Sequence, residues 1–419
     1  MIRTHWMIVR HSLARHALST AVTVLSAALA SGLVLAVFSL SEQSTRAFAG
    51  GRFGFDAVLG ARGSTLQLVL NTIYHLETSP GNIPWSLYER VRADPRVRRA
   101  VPYAVGDSYR GRRVVGTTPE LFEVEVQEGR PYRIPAPGRV FDPSYREAVI
   151  GATAARELGL ALNDRFQPAH GVLDGPGARV HDELYTVVGI LEPTNTPSDG
   201  VIWIPIDGIY HMEGHVGRDE QGHAVDATHE EGVPPEFREV SAVLLALSSG
   251  QAGFSLSNEI NRERRDATLA WPIAEPMANL IRKLGWVNRV LEVVAYLVVA
   301  VTAGSLLASL YNTMNERRRE FAVLRALGAR KRTVFGVIVL EAGTIAGMGA
   351  VLGYLVHYAI LFGVAGVVRD RTGVVLDTSL VHPSFFWTPV AMVAVGAVSG
   401  LLPAFKAYST DVASTLAGS

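Results

Sequence analysis

The chain has 419 residues, 48% of them hydrophobic, and its 39 basic side chains equal its 39 acidic ones. This balance gives no sign of the basic surface that nucleic acid requires, and the absence of cysteine excludes disulfides, thiolate catalysis and cysteine-based metal sites. The basic residues nevertheless cluster beside apolar segments, which indicates a membrane protein.

Four segments are apolar enough to cross a bilayer, which requires about 20 residues. They are 17–41, 293–314, 333–356 and 383–405. The first is uncharged and exceeds the roughly 7–15 apolar residues of a secretory signal, so we interpret it as a retained anchor. The fold class predicted is therefore a membrane α-helical protein with four transmembrane helices and a large α+β periplasmic domain between helices 1 and 2.

The long segment after the first span is predicted to be α+β because short strands and helices are mixed along it. Strands are predicted at 55–59, 66–70, 97–105, 113–115, 148–151, 184–191, 201–206 and 240–247, and helices at 84–92 and 152–160. From about Pro276 a helix is predicted to run without a break into the second span, as a stalk.

A histidine-rich tract at 211–236 is the candidate metal site. It contains His211, His215, His223 and His229 among acidic residues. Neutral imidazole is a common metal ligand, so we expect weak zinc binding. The alternative is a solvated acidic loop between two strands, which the glycines of the tract favour.

The connector at 315–332 carries seven basic residues against two glutamates. Phe321, Leu324 and Leu327 recur at three-residue spacing, and Gly328 can end a helix. We predict an amphipathic helix at the inner membrane surface, where a soluble partner docks. The alternative is a basic loop that attracts anionic lipid at about 1 kcal/mol per residue.

Glu341 interrupts the third span, where an ionisable group is costly. It is either functional or held by a neighbouring helix or an interfacial arginine, and we favour the second interpretation because no other acid or base nearby indicates a proton relay.

Positive charge predicts the orientation. Arg3, Arg10 and Arg15 precede the first span, the basic connector follows the second, and Lys406 follows the fourth. We therefore expect a multi-pass protein of the bacterial inner (plasma) membrane with both termini cytoplasmic. The predicted division is 1–41 for the N-terminus and first span, 42–286 for the periplasmic domain, 287–314 for the stalk and second span, 315–332 for the coupling helix, 333–368 for the third span, 369–382 for a periplasmic loop, 383–405 for the fourth span and 406–419 for the tail.

The connector also carries a family pattern, in which an acidic residue leads into a Leu-(Arg/Lys)-Ala-(Leu/Met)-Gly-Ala run. The matching residues are Glu320, Ala322, Leu324, Arg325, Ala326, Leu327, Gly328 and Ala329. With one span, a large domain and three further spans in that order, the chain resembles the FtsX-like permeases of ABC transporters, of the MacB and LolC/LolE kind (type VII, mechanotransmission). Segments 148–160 and 201–205 resemble the outer domain of the same family.

The resemblance implies a permease subunit that is not itself an enzyme and that couples to a separate ABC ATPase. The implied coupling residues are Glu320, Phe321, Leu324, Arg325, Ala326, Gly328, Ala329 and Arg330. None of the chain's three lysines follows a glycine, so the sequence has no P-loop, and ATP and Mg²⁺ belong to the partner. Other expected partners are a second permease copy in a homodimer, a periplasmic adaptor or substrate-carrier protein, and membrane lipid.

The expected function is therefore conversion of ATP binding and hydrolysis into motion of the periplasmic domain, which exports, extracts or hands over a substrate. Two alternatives remain open: an FtsX-like regulator of periplasmic hydrolases that transports nothing, and a component of a zinc-related transport system. The sequence has no GxSxG, HExxH or EF-hand motif.

Overall fold

The structure is a computed structural model that describes residues 2–49, 54–127, 130–171, 180–212, 217–218, 224–225, 234, 237–263, 266–372 and 381–409. It divides into two compact units. The membrane unit comprises Met1–Ser44, Leu284–Gly366 and Asp377–Ser419, and the inserted domain comprises Thr45–Lys283 with Val367–Leu376.

The helices, in chain order, are α1 (Ile2–Arg15), α2 (Ala17–Ala49), α3 (Thr65–Thr72), α4 (Trp85–Arg92), α5 (Ala152–Leu158), α6 (Ile206–Tyr210), α7 (Gly250–Glu263), α8 (Ala274–Lys283), α9 (Gly285–Glu316), α10 (Arg318–Ala326), α11 (Lys331–Thr372) and α12 (Ser384–Ser409). Among the described residues, four of them, α2, α9, α11 and α12, are long and apolar enough to cross a membrane. The predicted fold class, four apolar helices with an α+β domain between the first and second, is confirmed.

Small residues bring the membrane helices into backbone contact. A Cβ atom added at Gly349 of α11 would collide with Ala27 of α2, and one at Gly353 would lie 2.6 Å from the Cβ of Ser31. On α12, a Cβ added at Gly396 would collide with Ala346 of α11. Close approach through glycine is a common means of packing helices in lipid, where apolar burial gives no driving force. Helix α11 is therefore held tightly between α2 and α12.

The strands of the inserted domain are β1 (Ala57–Ala61), β2 (Ile83–Pro84), β3 (Val97–Tyr109), β4 (Arg112–Thr117), β5 (Glu125–Gln127), β6 (Arg130–Pro131), β7 (Glu147–Ile150), β8 (Arg165–Phe166), β9 (Ala169–His170), β10 (Tyr185–Ile190), β11 (Ile202–Pro205), β12 (Gly217–Arg218), β13 (Ala224–Val225), β14 (Glu239–Val240), β15 (Ala242–Leu247) and β16 (Ala267–Ala270).

Within the described residues, ten strands form one mixed sheet in the order β16-β1-β15-β3-β4-β11-β7-β10-β8, with β9 paired to β3. Successive side chains of a strand face opposite sides of a sheet, and Val58 and Leu59 of β1 accordingly enter two different core clusters. Leu87 of α4 and Leu256 of α7 cover the Leu59 face, while Leu68 of α3 belongs to the cluster on the Val58 face. The sheet thus lies between two layers of helices.

The strand predicted at 66–70 is wrong, because these residues lie in helix α3. Ser64 caps this helix, and its hydroxyl accepts a hydrogen bond from the backbone N–H of Gln67 at 3.4 Å. Ser and Gln at this spacing form a capping-box pattern. This local signal favours a helix at 66–70.

The unbroken helix predicted from about Pro276 into the second span is also wrong. Helix α8 ends at Lys283, Leu284 lies between the two helices, and α9 begins at Gly285. Glycine has a low helix propensity, which is consistent with an interruption at this point.

Candidate functional site

The basic connector forms the short helix α10 and a tight turn that ends it. Gly328 has a φ of 100°, a conformation that favours glycine. The N–H of Gly328 donates to the carbonyl of Arg325, and the N–H of Ala329 donates to the carbonyl of Leu324, both at 3.0 Å. These two bonds are those of a Schellman motif, which satisfies the last carbonyls of a helix. The glycine therefore fixes the direction in which the chain leaves α10.

The apolar residues of the connector divide between two environments. Phe321 is 6% exposed and lies in a cluster with Val334 of α11, against which Leu324 also packs. Leu327, by contrast, is 81% exposed and Val323 is 45% exposed. The single apolar face predicted from Phe321, Leu324 and Leu327 is therefore wrong, because Leu327 lies beyond the last helical residue, where helical spacing no longer applies.

Glu341 is held by an arginine of the connector. Its Oε2 lies 3.3 Å from an Nη of Arg317, and its Oε1 accepts a hydrogen bond of 2.5 Å from the hydroxyl of Ser12. Arg317 also donates to Ser12 at 2.6 Å. Arg317 is 8% exposed and Glu341 is 5% exposed. Glu341 thus has both of the structural partners favoured from the sequence, a neighbouring helix and a nearby arginine.

The network continues from Arg317 to the N-terminal helix. Arg317 donates through Nε to Glu320 at 3.3 Å, and Arg15 of α1 donates to the other oxygen of Glu320 at 2.6 Å. The guanidinium of Arg317 also lies 4.8 Å from the centre of the Phe321 ring. The network therefore joins α1, the connector and α11 through two cations and two carboxylates.

Helix α1 is the part of this site that sequence reasoning missed, since its arginines indicated only orientation. Ser12 and Arg15 are three residues apart, which places them on one face of a helix. That spacing was the available signal.

The predicted coupling residues have mixed exposure. Ala326, Gly328 and Arg330 are exposed, Glu320, Leu324, Arg325 and Ala329 are partly buried, and Phe321 is buried. Their exposed members and Leu327 form the surface that a partner can reach.

Of the four histidines in the predicted metal tract, the structure describes only His211. His211 follows the last residue of α6, and its Nδ1 lies 2.6 Å from the carbonyl oxygen of Asp207. His215, His223 and His229 lie outside the described residues. A different histidine pair, His170 and His181, meets Asp107 in the inserted domain and was not predicted.

Two family models match the chain. The model of the MacB-like periplasmic core domain matches residues 20–263, and the FtsX-like permease C-terminal model matches residues 292–412. The first spans more than half of the 419 residues.

The chain is also similar to an uncharacterized ABC transporter permease of Methanocaldococcus jannaschii, with 27% identity over 274 residues. The match covers 60% of this chain and 61% of that relative.

Two solved structures resemble it more distantly. The periplasmic region of MacB from Actinobacillus actinomycetemcomitans is 11% identical, with 55% of this chain and 94% of that chain covered and a TM-score of 0.33. The extracellular domain of the transporter YknZ from Gram-positive bacteria is 13% identical, with 51% and 97% covered and a TM-score of 0.29. On the strength of the two family models, the chain belongs to the ABC transporter permeases that combine a MacB-like periplasmic core domain with an FtsX-like permease region.

Proposed function

We propose that this permease converts ATP binding and hydrolysis by a separate ATPase subunit into motion of its periplasmic domain. The motion exports a substrate, extracts it or hands it to a carrier. The observation that carries the proposal is the division of the connector into a buried half, anchored by Phe321, and an exposed half, formed by Leu327 and the turn at Gly328.

The exposed half has the character of a docking surface. Leu327 and Val323 offer apolar contacts, and the exposed Arg319 and Arg330 flank them. Protein interfaces commonly combine an apolar centre with a polar rim. A loop that only attracted anionic lipid would not require a fixed turn, whereas a protein partner needs the exposed leucine held in one defined position.

The buried half of the connector can transmit a displacement of α10 to other helices. Phe321 and Leu324 pack on α11, and Arg317 and Glu320 tie the connector to α1 and α11. Contiguous packing and hydrogen bonding of this kind can carry coupling between distant sites. A displacement imposed on α10 by an ATPase would therefore reach two further helices.

The proposed orientation of the chain in the membrane follows from the distribution of its positive charges. The basic connector and both termini lie in the cytoplasm, and the membrane is the bacterial inner membrane. Two permease copies pair, each docks one ATPase, and the periplasmic domains meet the adaptor or substrate carrier.

The test is Leu327→Asp in the full-length chain, co-expressed with its ABC ATPase. We expect recovery of the ATPase with the permease to fall by about ten-fold or more, because a central apolar anchor is lost. The permease itself should keep its yield and melting temperature, since the leucine is almost fully exposed.

Two controls define the result. Asn315→Asp adds the same charge at an exposed connector position without removing an apolar contact, and should leave ATPase recovery unchanged. Leu324→Asp should lower the melting temperature, because Leu324 packs against a buried cluster. Full ATPase recovery and normal stimulation with Leu327→Asp would show that docking occurs elsewhere.

A further inference from the structure

Three side chains of types that commonly bind metal ions lie close together in the inserted domain. Asp107 lies near the end of β3, and His170 of β9 is its direct cross-strand partner. Directly opposed residues of an antiparallel pair project from the same face of a sheet. Asp107 and His170 are therefore neighbours by register.

His181 reaches the same face from the next segment. Val180 is bridged to Ala169, and the N–H of His181 donates to the carbonyl of Pro168 at 2.9 Å. His181 is thus opposite Pro168, which lies two residues before His170 and so shares its face.

The ligand atoms of the three residues converge. His181 Nε2 lies 3.1 Å from Asp107 Oδ1, and His170 Nδ1 lies 3.6 Å from the same oxygen. One ligand atom from each residue lies within 4.8 Å of the other two. In a tetrahedral zinc site with bonds of about 2.0–2.2 Å, the ligands lie about 3.3 Å apart, so only a small movement of the rings is required.

The surroundings favour a cation. Glu183, two residues after His181, is buried, and its Oε2 has no hydrogen-bond partner in the described part of the chain. Burial raises the pKa of Tyr185, Arg146 opposes that shift, and the carboxylates of Glu183 and Asp107 add to it. Glu183 is therefore a second buried carboxylate close to Tyr185, and its negative charge is costly without a neutralising partner.

We propose that Asp107, His170 and His181 form a binding site for a divalent cation of the Zn²⁺ class. Two imidazoles with one carboxylate are a ligand set that zinc prefers, whereas Mg²⁺ and Ca²⁺ prefer oxygen ligands alone. Three protein ligands leave a fourth position for water or a further ligand.

The three residues differ in their exposure to solvent. The side chains of Asp107 and His181 are buried, while that of His170 is 51% exposed. An ion can therefore enter and leave on the His170 side without unfolding of the sheet. The proposal concerns the inserted domain alone and does not depend on how the connector binds an ATPase.

The test uses the full-length chain in detergent, purified with a histidine-free tag and stripped of metal. Zn²⁺ is titrated in competition with a chromophoric chelator, and Co²⁺ is added separately to record the visible absorption of a tetrahedral site. His170→Ala is the principal variant, because a half-exposed side chain can be removed without disturbing the core. We expect the tightest zinc site to weaken by about 100-fold and the Co²⁺ absorption to be lost.

The histidine-rich tract must be separated from this site in the same chain. A background variant with His211, His215, His223 and His229 changed to alanine should retain the tight site, and His170→Ala in that background should remove it. His11→Ala, which removes an exposed histidine of α1, is the matched control and should change nothing.

Two results would overturn the proposal. One is wild-type zinc affinity in both His170→Ala and Asp107→Asn. The other is loss of all zinc binding when the tract alone is changed. Either would leave Asp107, His170 and His181 as a hydrogen-bonded cluster that supports the sheet.

Discussion

Buried carboxylates have different partners in the membrane unit and in the inserted domain. In the membrane unit, Glu341 faces Arg317, a permanent cation, and the partly exposed Glu320 bridges two arginines. In the inserted domain, Asp107 contacts two imidazoles, which are charged only when protonated. Burial of an acid therefore does not identify a ligand site. The chemical type of its partners matters as well: the fixed charge of Arg317 faces Glu341, whereas the imidazoles beside Asp107 are metal-ligand side chains, on which the proposed cation site rests.

The largest expected effect comes from breaking the closed network. Arg317→Ala leaves Glu341 buried without its cation, which should lower the stability of the chain by about 3–5 kcal/mol. Thermal unfolding of the purified protein, with yield in the membrane fraction, measures the loss.

Two further variants test the reason for that loss. Glu320→Gln acts on a carboxylate that is 42% exposed and should cost no more than about 1 kcal/mol. Arg317→Ala combined with Glu341→Ala should recover much of the stability, because no buried charge remains. If the single Arg317→Ala variant were as stable as this double variant, the loss would not come from the unpaired charge of Glu341.

A smaller effect is expected from disturbing the packing of α11, which carries Glu341, against α2. Gly349→Ala places a methyl group against Ala27 and should cost about 1–3 kcal/mol through overpacking. Gly363→Ala, in the same helix, meets no described atom within 4 Å and should be neutral or slightly stabilising. Equal melting temperatures for the two variants would contradict the close packing of α2 on α11.

The smallest expected effect is a pH dependence of the stability of the inserted domain, and it arises from His75. His75 contacts the hydroxyl of Tyr103 at 3.1 Å, and burial, with the positive charge of Arg113, lowers the pKa of His75 from 6.5 to about 3. Between these pH values the unfolded chain binds the proton and the native chain does not. The stability contributed by neutral His75 is therefore complete above pH 6.5 and is lost as the pH falls below it.

The loss should be about 1 kcal/mol per pH unit or less, because His75 as a residue is only partly buried. Tryptophan fluorescence during denaturant unfolding at pH 7.0, 6.0 and 5.0 measures it. His75→Gln should flatten the dependence, and an unchanged slope would assign the acid sensitivity to other groups.

Much of the architecture was accessible from the sequence because it depends on local composition. About 20 apolar residues are needed to cross a bilayer, so long apolar runs identify the spans directly. Gly328 is predicted to end the connector helix because glycine readily adopts a positive φ, a preference that does not depend on contacts with the rest of the chain.

The remaining features depend on contacts between distant parts of the chain. Ser12 and Glu341 are 329 residues apart, and Asp107 and His181 are 74 apart, so no spacing rule brings either pair together. Strand register is what unites Asp107 with His170. The error at α3 is of another kind, because the Ser64–Gln67 capping signal is local and is present in the sequence.

The network around Glu341 also bears on the order in which the protein is made. An ionised side chain inside a spanning helix opposes insertion by about 2.5–3.5 kcal/mol near the helix centre. Both partners of Glu341 precede it in the chain, Arg317 by 24 residues and Ser12 by 329. They have already left the ribosome when Glu341 emerges, so the acid can be paired with them during synthesis. The two contacts that hold Glu341 therefore depend only on residues upstream of it.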